Sequence, residues 1–155
     1  MENFICESNA IEGIYRKPTD LEVSSFRIFM EMPALTLDDV CVLQAVFAPA
    51  NPLRTEPYMN VRVGSHIAPP GGVLIKPMLL SIIEDANSGD NPWHTHVDFE
   101  TLHPFLDGNG RTGRAVWAWQ MQRLGRDPFE LPFLHRFYYQ SLENSRAALD
   151  RKNTK

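Results

Sequence analysis

Residues 103–114 read His-Pro-Phe-Leu-Asp-Gly-Asn-Gly-Arg-Thr-Gly-Arg. Glycines stand at positions 108, 110 and 113, where a helical pattern is about to begin. A glycine lets the backbone turn sharply and lets N–H groups come close to a ligand. The first turn of a helix also has N–H groups without an intrahelical partner, and these favour an anion such as phosphate. The stretch therefore predicts an anion-binding loop that opens a helix.

Four side chains in this loop indicate phosphate chemistry. Arg111 and Arg114 lie three positions apart. A helix would project both to one side, and two guanidinium groups suit a polyphosphate. Asp107 offers a hard oxygen ligand for Mg²⁺ that is shared with phosphate oxygens. His103 is the nearby side chain that can take a proton near neutral pH.

Each of these features alone is common in structural roles, because most glycine-rich turns are only turns and most single histidines are structural. Their combination in one short loop is hard to explain by packing and indicates a functional site. The spacing matches neither G-x-x-x-x-G-K-[ST] nor G-x-G-x-x-G. The pattern therefore favours neither a P-loop nor a dinucleotide-binding fold.

The loop resembles the signature of the Fic family, H-x-F-x-[DE]-G-N-G-R-x-x-R, at every specified position. The preceding Phe-Glu-Thr-Leu at 99–102 also resembles that family, and the resemblance is strongest from Val61 to about Leu124. It implies a mainly α, single-domain Fic fold, a helical bundle with a small β-hairpin flap over the active-site loop. It also implies a protein adenylyltransferase, which uses Mg²⁺ and transfers AMP from ATP to a Tyr, Thr or Ser hydroxyl of a target protein.

The same resemblance implies a role for each loop residue. His103 would be the general base, and Asp107 would hold Mg²⁺. The α- and β-phosphates of ATP would lie in an anion hole, and Arg114 would reach the γ-phosphate. The implied nucleotide-binding residues are Gly108, Asn109, Gly110, Arg111 and Arg114. A lysine at position 110 would resemble the family branch that phosphorylates, so the glycine there favours AMP transfer.

A shorter pattern near the N-terminus resembles the inhibitory helix of many Fic proteins. Residues 8–13 read Ser-Asn-Ala-Ile-Glu-Gly and match [ST]-x-x-x-E-[GN], with Ser8, Glu12 and Gly13 at the specified positions. By analogy, Glu12 would pair with Arg114 in place of the γ-phosphate and leave ATP bound unproductively. Without the loop signature, the same pattern would indicate only a capped surface helix with a solvated glutamate.

The resemblance divides the chain into an N-terminal inhibitory helix segment, residues 1–18, and a Fic domain, residues 19–155. Some relatives use the inhibitory glutamate to remove AMP, so a de-AMPylation activity stays open. Two other functions also stay open: a non-catalytic ATP-sensing or interaction module, and a toxin-like Fic/Doc-type transferase restrained by a separate partner. The intact His103 and Asp107 disfavour the first, and the internal inhibitory motif disfavours the second.

Hydrophobic periodicity and helix start signals predict a mainly helical chain. Capping boxes of the form T-x-x-E and T-x-x-D would start the second and third helices. The predicted helices are Glu7–Arg16, Thr19 to about Pro33, Thr36–Pro49, Pro77–Gly89, Asn91–Leu102, Arg111–Leu124 and about Phe133–Arg151.

The interval between the third and fourth helices is rich in proline and glycine, which excludes a long helix. Two β-compatible pieces, Asn60–Val63 and Val73–Ile75, flank the Pro-Pro-Gly-Gly sequence at 69–72 and predict a hairpin. This hairpin would be the flap, and Val73, Leu74 and Ile75 would align an extended segment of the target protein by backbone pairing.

The composition limits the class of protein. The chain has 155 residues, which fits one domain with one core. Its formal net charge of −4 disfavours a nucleic-acid-binding face. No apolar run approaches the roughly 20 residues of a membrane span, and the N-terminus lacks the pattern of a signal peptide. We therefore expect a cytoplasmic protein whose partners are ATP, a target protein and, if it self-associates, a second copy of itself.

Overall fold

The computed structural model describes residues 1–130 and 135–153. These residues form seven helices and one short antiparallel hairpin, which confirms the mainly helical, single-domain fold predicted from the sequence. In chain order the elements are α1 (Glu2–Ile11), α2 (Asp20–Met30), α3 (Leu37–Phe47), β1 (Arg62–Val63), β2 (His66–Ile67), α4 (Ile75–Ser88), α5 (Pro92–Leu102), α6 (Asn109–Arg123) and α7 (His135–Asn153). None of the helices described is both long and apolar enough to cross a bilayer.

Helix α6 is the central helix, and it packs against α1, α2, α3, α4 and α5. Its fully buried Ala115 and Ala118 allow neighbouring helices to approach closely, because their side chains are small. The indole of Trp119 is buried, and its Nε1 donates to the carbonyl of Met32 at 2.9 Å. The core around α6 includes Phe26, Phe29, Val40, Leu43, Leu79, Phe99, Phe105 and Val116.

The predicted helix start and stop signals are present in the structure. The Thr19 hydroxyl accepts from the N–H of Glu22 at 3.2 Å, and the Glu22 carboxylate accepts from the N–H of Thr19 at 2.7 Å. Thr36 and Asp39 form the same capping box at the start of α3. Each box satisfies two N–H groups that lack a partner in the helix and contributes about 1 kcal/mol. Gly89, in the left-handed conformation, ends α4 as predicted.

The bounds predicted for the first helix were wrong. The prediction was Glu7–Arg16, whereas the helix spans Glu2–Ile11. It begins earlier because Phe4 and Ile5, which precede the predicted start, are buried in the core. It ends earlier because Gly13 has a φ of 75°, a left-handed conformation that stops a helix.

The predicted hairpin exists, but its second strand lies elsewhere in the sequence. Asn60–Val63 was predicted to pair with Val73–Ile75 through the Pro-Pro-Gly-Gly sequence. In the structure β1 pairs antiparallel with β2, and the two strands are joined through Gly64 and Ser65. The first predicted piece therefore contributes a strand and the second does not.

Val73, Leu74 and Ile75 were wrongly assigned to the flap. Val73 and Leu74 are 84% and 68% exposed in a turn, whereas Ile75 is buried and begins α4. In the observed turn Gly64 has a φ of 58°, and a glycine at the first central position is typical of a two-residue type II′ hairpin loop. The Pro-Pro pair has no N–H groups to donate to a strand ladder.

Helix α4 starts at a different residue from the one predicted. Helix α4 begins before Pro77, which is its third residue, at a position where the missing N–H would have no intrahelical partner. The last helix was predicted from about Phe133, which lies outside the described residues, and α7 is described from His135 onward.

Candidate active site

His103 lies directly after α5, in a left-handed backbone conformation with φ 49° and ψ 62°. Its Nδ1 lies 3.3 Å from the backbone carbonyl of Glu100. A carbonyl only accepts, so Nδ1 donates and, in the neutral ring, Nε2 keeps its lone pair. Burial lowers the pKa of His103 to about 4, so the ring is neutral near pH 7. The imidazole can therefore accept a proton through Nε2.

The loop after His103 is held in place by its own side chains. The amide of buried Asn109 accepts from the N–H of Phe105 at 2.8 Å and donates to the Phe105 carbonyl at 2.9 Å. Phe105 is buried in the core and anchors the loop. Gln44 of α3 donates to the carbonyl of Asp107 at 2.9 Å. The side chain of Asn109 thus shapes the loop, and its backbone N–H is the group left to contact an anion.

Gly108 is the residue at which the loop turns into α6. Its φ is 79°, and a Cβ there would lie 2.9 Å from the Cβ of Ala48, so both the conformation and the space require glycine. Its N–H donates to Oδ1 of Asp107 at 2.6 Å. Asp107 is exposed, and its Oδ2 makes no hydrogen bond to any described residue.

Arg114 of α6 is fully buried and bonds to the end of α1. Its Nε donates to the hydroxyl of Ser8 at 2.8 Å, and its Nη2 donates to the Ser8 carbonyl at 2.9 Å. Nη2 also donates to Oε1 of Glu12 at 2.6 Å. The guanidinium carbon lies 5.0 Å from the centroid of the Tyr138 ring. The ion pair between Glu12 and Arg114 that the family resemblance implied is therefore present.

The way α1 ends brings Ser8 and Glu12 to Arg114. The two residues are four positions apart, so they lie on the same side of the helix. Glu12 is the first residue beyond the helix, and Gly13 follows in the left-handed conformation. The N–H groups of Gly13 and Ile14 turn back to carbonyls of the last helical turn at 3.0 and 2.9 Å, which is a Schellman ending. Gly13 thus lets α1 stop with Glu12 at the site.

Glu12 also lies directly against the first turn of α6. A Cβ at Gly110 would collide with Oε1 of Glu12 and would lie 2.9 Å from Nη1 of Arg114. Nη1 is buried and has no hydrogen-bond partner among the described residues. The carboxylate therefore occupies the space directly against Gly110 at the N-terminus of α6.

The two arginines of the signature do not converge on one anion hole as the i, i+3 spacing predicted. Arg111 is buried, and its Nη1 donates to the carbonyl of Phe47 at 2.7 Å, whereas Arg114 points to α1. The Arg111 guanidinium also lies over the Phe47 ring, 5.7 Å from its centroid. Phe47 is the last residue of α3, whose free carbonyls and negative dipole end attract a cation.

His103, Asp107, Gly110 and Glu12 meet in a cavity of about 300 Å³. Its other lining residues are Val61, Arg62, Val63, Glu100, Leu106, Asn109, Tyr138 and Tyr139. The hairpin therefore does lie over the signature loop, but through β1 and the residue before it. Two larger grooves, of about 580 and 720 Å³, lie elsewhere and are lined by no histidine.

Glu100 is a candidate functional residue that the sequence analysis did not single out. Its carboxylate is buried in the cavity wall, with Oε2 3.8 Å from Nδ1 of His103. Burial raises the pKa of Glu100 to about 7. The available signal was its position one helical turn before His103, within the family-like lead-in.

Helix α7 contributes two tyrosines that no sequence pattern indicated. The hydroxyl of Tyr138 lies 2.9 Å from Nε2 of His96, and the hydroxyl of Tyr139 donates to the carbonyl of Ile11 at 3.3 Å. Both tyrosines line the cavity, so α7 and α1 close the same side of the site.

Comparison with known proteins by sequence identifies the family to which the chain belongs. The sequence model of the Fic/DOC family matches residues 34–121, which is more than half of the chain, and this chain belongs to that family. It is similar to the protein adenylyltransferase Fic of Nematostella vectensis, with 27% identity over 154 residues. The alignment covers 91% of this chain and 35% of that relative, so the chain spans about a third of the relative's length.

Proposed function

We propose that this protein is a protein adenylyltransferase that transfers AMP from ATP to a Tyr, Thr or Ser hydroxyl of a target protein, and that Glu12 restrains it. The observation that carries the proposal is the cavity where the partly buried, neutral His103, the Asp107 carboxylate and the N-terminus of α6 meet. The similarity to an adenylyltransferase of the same family supports the reaction class.

The start of α6 offers the groups that would bind the phosphates of ATP. The N–H groups of its first turn lack intrahelical partners, and the positive end of the helix dipole lies there. Gly108 and Gly110 let phosphate oxygens approach these N–H groups closely. Arg111 is the third residue of α6 and adds positive charge near this turn, although its guanidinium bonds to the Phe47 carbonyl.

Asp107 fits the role of Mg²⁺ ligand. One carboxylate oxygen is engaged by the N–H of Gly108, and the other makes no hydrogen bond within the described residues. The described residues contain no cluster of three His, Cys, Asp or Glu side chains around a metal site. Mg²⁺ commonly takes one or two carboxylates and completes its shell with phosphate oxygens and water. When bound, it would offset the negative charge of the α- and β-phosphates.

His103 would activate the target hydroxyl. Nε2 takes the hydroxyl proton while the hydroxyl oxygen forms a bond to the α-phosphorus of ATP. The bond from the α-phosphorus to the oxygen that bridges to the β-phosphorus breaks, and pyrophosphate leaves. The N–H groups of α6 stabilise the charge on the phosphates, so positioning and electrostatics supply most of the catalysis.

Glu12 would restrain this reaction by holding Arg114. The proposed partner of Arg114 is the γ-phosphate, and a carboxylate 2.6 Å from Nη2 competes directly for that guanidinium. Ser8 supports the same arrangement through two further hydrogen bonds. These contacts support the proposal that this protein belongs to the group of Fic proteins with an N-terminal inhibitory helix.

The target protein would dock along the hairpin. Within the described residues the hairpin is a two-stranded sheet, and an extended segment would pair with an outer strand edge through backbone hydrogen bonds. Ile67 of β2 is 73% exposed and would add apolar contact. Since backbone pairing carries little sequence information, the residues around the accepting hydroxyl would be weakly specified.

The test is a labelling experiment with the Glu12→Gly variant, incubated with cell lysate and ATP labelled with ³²P at either the α- or the γ-position. The double variant Glu12→Gly/His103→Ala is the matched control. We expect protein labelling from α-labelled ATP alone, and about 10²- to 10⁴-fold less labelling by the control. Mass spectrometry would then find AMP on Tyr, Thr or Ser.

The other outcomes each contradict a part of the proposal. Label from the γ-position would indicate phosphorylation. No label from a folded Glu12→Gly variant that binds ATP would indicate a nucleotide-sensing module. Unreduced labelling by the folded double variant would remove His103 as the base.

A further inference from the structure

Arg54 is a buried arginine that the proposed reaction does not yet use. Its side chain has no exposed surface, and no carboxylate among the described residues forms an ion pair with it. Burial lowers the pKa of Arg54. A buried cation is costly unless hydrogen bonds compensate for its lost hydration. Its partners therefore show why the chain keeps a charge there.

Two of its four hydrogen-bond acceptors lie at the catalytic end of α5. Nε donates to the carbonyl of His103 at 2.6 Å, and Nη2 donates to the carbonyl of Leu102 at 2.8 Å. These carbonyls lie at the negative end of the helix dipole, where a cation is favourable. The left-handed backbone of His103 costs a non-glycine residue about 1–2 kcal/mol, so it needs bonds that hold it.

The other two acceptors flank the hairpin. Nη1 donates to the carbonyls of Met59 and Pro69, each at 2.9 Å. Met59 precedes β1 and Pro69 follows β2, so a single nitrogen closes the neck of the hairpin. The Arg54 backbone extends the connection, because its N–H donates to the Pro104 carbonyl at 2.9 Å and its carbonyl accepts from the N–H of Gly72 at 2.8 Å.

We propose that Arg54 is a positioning residue, which holds His103 in its left-handed conformation and the neck of the target-aligning hairpin with one guanidinium group. The proposal rests on the function proposed above. Because one guanidinium holds both segments, a displacement of the hairpin neck would also move His103 relative to the α-phosphorus. The proton acceptor and the target segment would therefore keep the same position relative to each other. A lysine cannot replace this connection, because its single ammonium cannot reach four carbonyls in a planar fork.

The test compares Arg54→Lys and Arg54→Met, each in the Glu12→Gly background, with Asn87→Ala as a matched control. Asn87 is exposed, and its side chain bonds to the backbone of Leu35 at 2.8 and 2.9 Å, so the control also loses side-chain hydrogen bonds to a loop backbone, but away from the site. Initial rates of α-³²P transfer to lysate protein are measured against ATP concentration. We expect the maximum rate of Arg54→Lys to fall about 10²-fold with an unchanged KM for ATP, because a 1 Å misplacement costs that much. The control should retain its maximum rate.

A second measurement does not depend on transfer. Hydrogen–deuterium exchange followed by mass spectrometry should show faster exchange in both residues 60–71 and residues 103–108 of Arg54→Lys. Residues 20–47 should be unchanged, and the control should show no change in either segment. If Arg54→Met does not fold, Arg54→Lys carries both measurements.

Three results would overturn the proposal: a maximum rate equal to that of the Glu12→Gly parent, a fall in rate explained by a higher KM for ATP, or faster exchange in only one of the two segments. If the Glu12→Gly parent transfers no label, the proposed function fails. The exchange measurement still decides whether Arg54 links the hairpin to His103.

Discussion

The contact between Glu12 and Arg114 gives the most quantitative prediction. Arg114 is fully buried, and 29% of the Glu12 side chain is exposed, with 2.6 Å between Nη2 and Oε1. We compare Glu12→Gln, which keeps an acceptor oxygen but removes the charge, with Glu12→Gly, which removes the side chain. Glu2→Gln, at an exposed position on the same helix, removes the same charge without contact to Arg114.

The expected magnitudes follow from the chemistry of the pair. A hydrogen bond to a charged group contributes about 1.5–3 kcal/mol, roughly twice a neutral one. For Arg114 to bind the γ-phosphate, it must first leave Glu12. Glu12→Gln should lose about 1 kcal/mol of that restraint, and Glu12→Gly should lose nearly all of it. These values predict that kcat/KM for ATP rises about fivefold in Glu12→Gln and about 10- to 100-fold in Glu12→Gly.

The assay is the initial rate of α-³²P incorporation into lysate protein at ATP concentrations below KM. Circular dichroism establishes that each variant is folded. Glu2→Gln should behave as the wild type. Equal rates for all four proteins would refute the reasoning, and so would a Glu12→Gln rate as high as that of Glu12→Gly, because the charge would then be the whole restraint.

Three other predictions follow from the environment of the site. Because burial lowers the pKa of His103 to about 4, the acid limb of the pH–rate profile of Glu12→Gly should be centred near pH 4, and a limb near pH 6.5 would contradict this. Burial raises the pKa of Glu100 from 4.5 to about 7. Between these two pH values the folded state retains a proton that the unfolded state releases. The contribution of Glu100 to stability is therefore lost as the pH rises from about 4.5 to about 7. The free energy of unfolding of Glu100→Gln should therefore rise relative to that of the wild type between pH 5 and pH 8, by no more than about 3 kcal/mol. The measurement is the difference in Tm across this pH range, and a constant difference would contradict the assignment. Gly113→Ala would place a Cβ 2.5 Å from Oε1 of Glu100 and 2.9 Å from Cδ1 of Phe99, so we expect a loss of about 1–3 kcal/mol, measured as a lower Tm, whereas an isolated helix would gain stability from this change.

Features that depend on near neighbours in the sequence were predictable. The capping boxes at Thr19 and Thr36 and the stop at Gly89 each involve residues within one helical turn. The turn at Gly108 also belongs to this class, since its left-handed conformation is a local property. The pairing of Glu12 with Arg114 came from the family resemblance, because the two residues are remote in sequence.

The hairpin could not be placed correctly from its sequence. Both Gly64-Ser65 and the Pro-Pro-Gly-Gly sequence are good local turn signals, so the alternatives were nearly equal. The choice depends on distant contacts: Arg54 bonds to the Pro69 carbonyl, and Ile75 is buried as the first residue of α4. These contacts exist only once the helices have packed.

The chemical groups of the loop were therefore predictable from the local sequence, whereas their arrangement in space was not. The residue types and the spacing at 103–114 determined that a histidine, a carboxylate and the N-terminus of a helix would lie close together. Only the packed structure decided that Arg111 turns to α3 and Arg114 to α1, and that Glu100 is buried beside His103. Helical spacing determines the side of the helix from which a side chain projects. Its hydrogen-bond partner and its pKa depend on the remote segments that pack around it and exclude water.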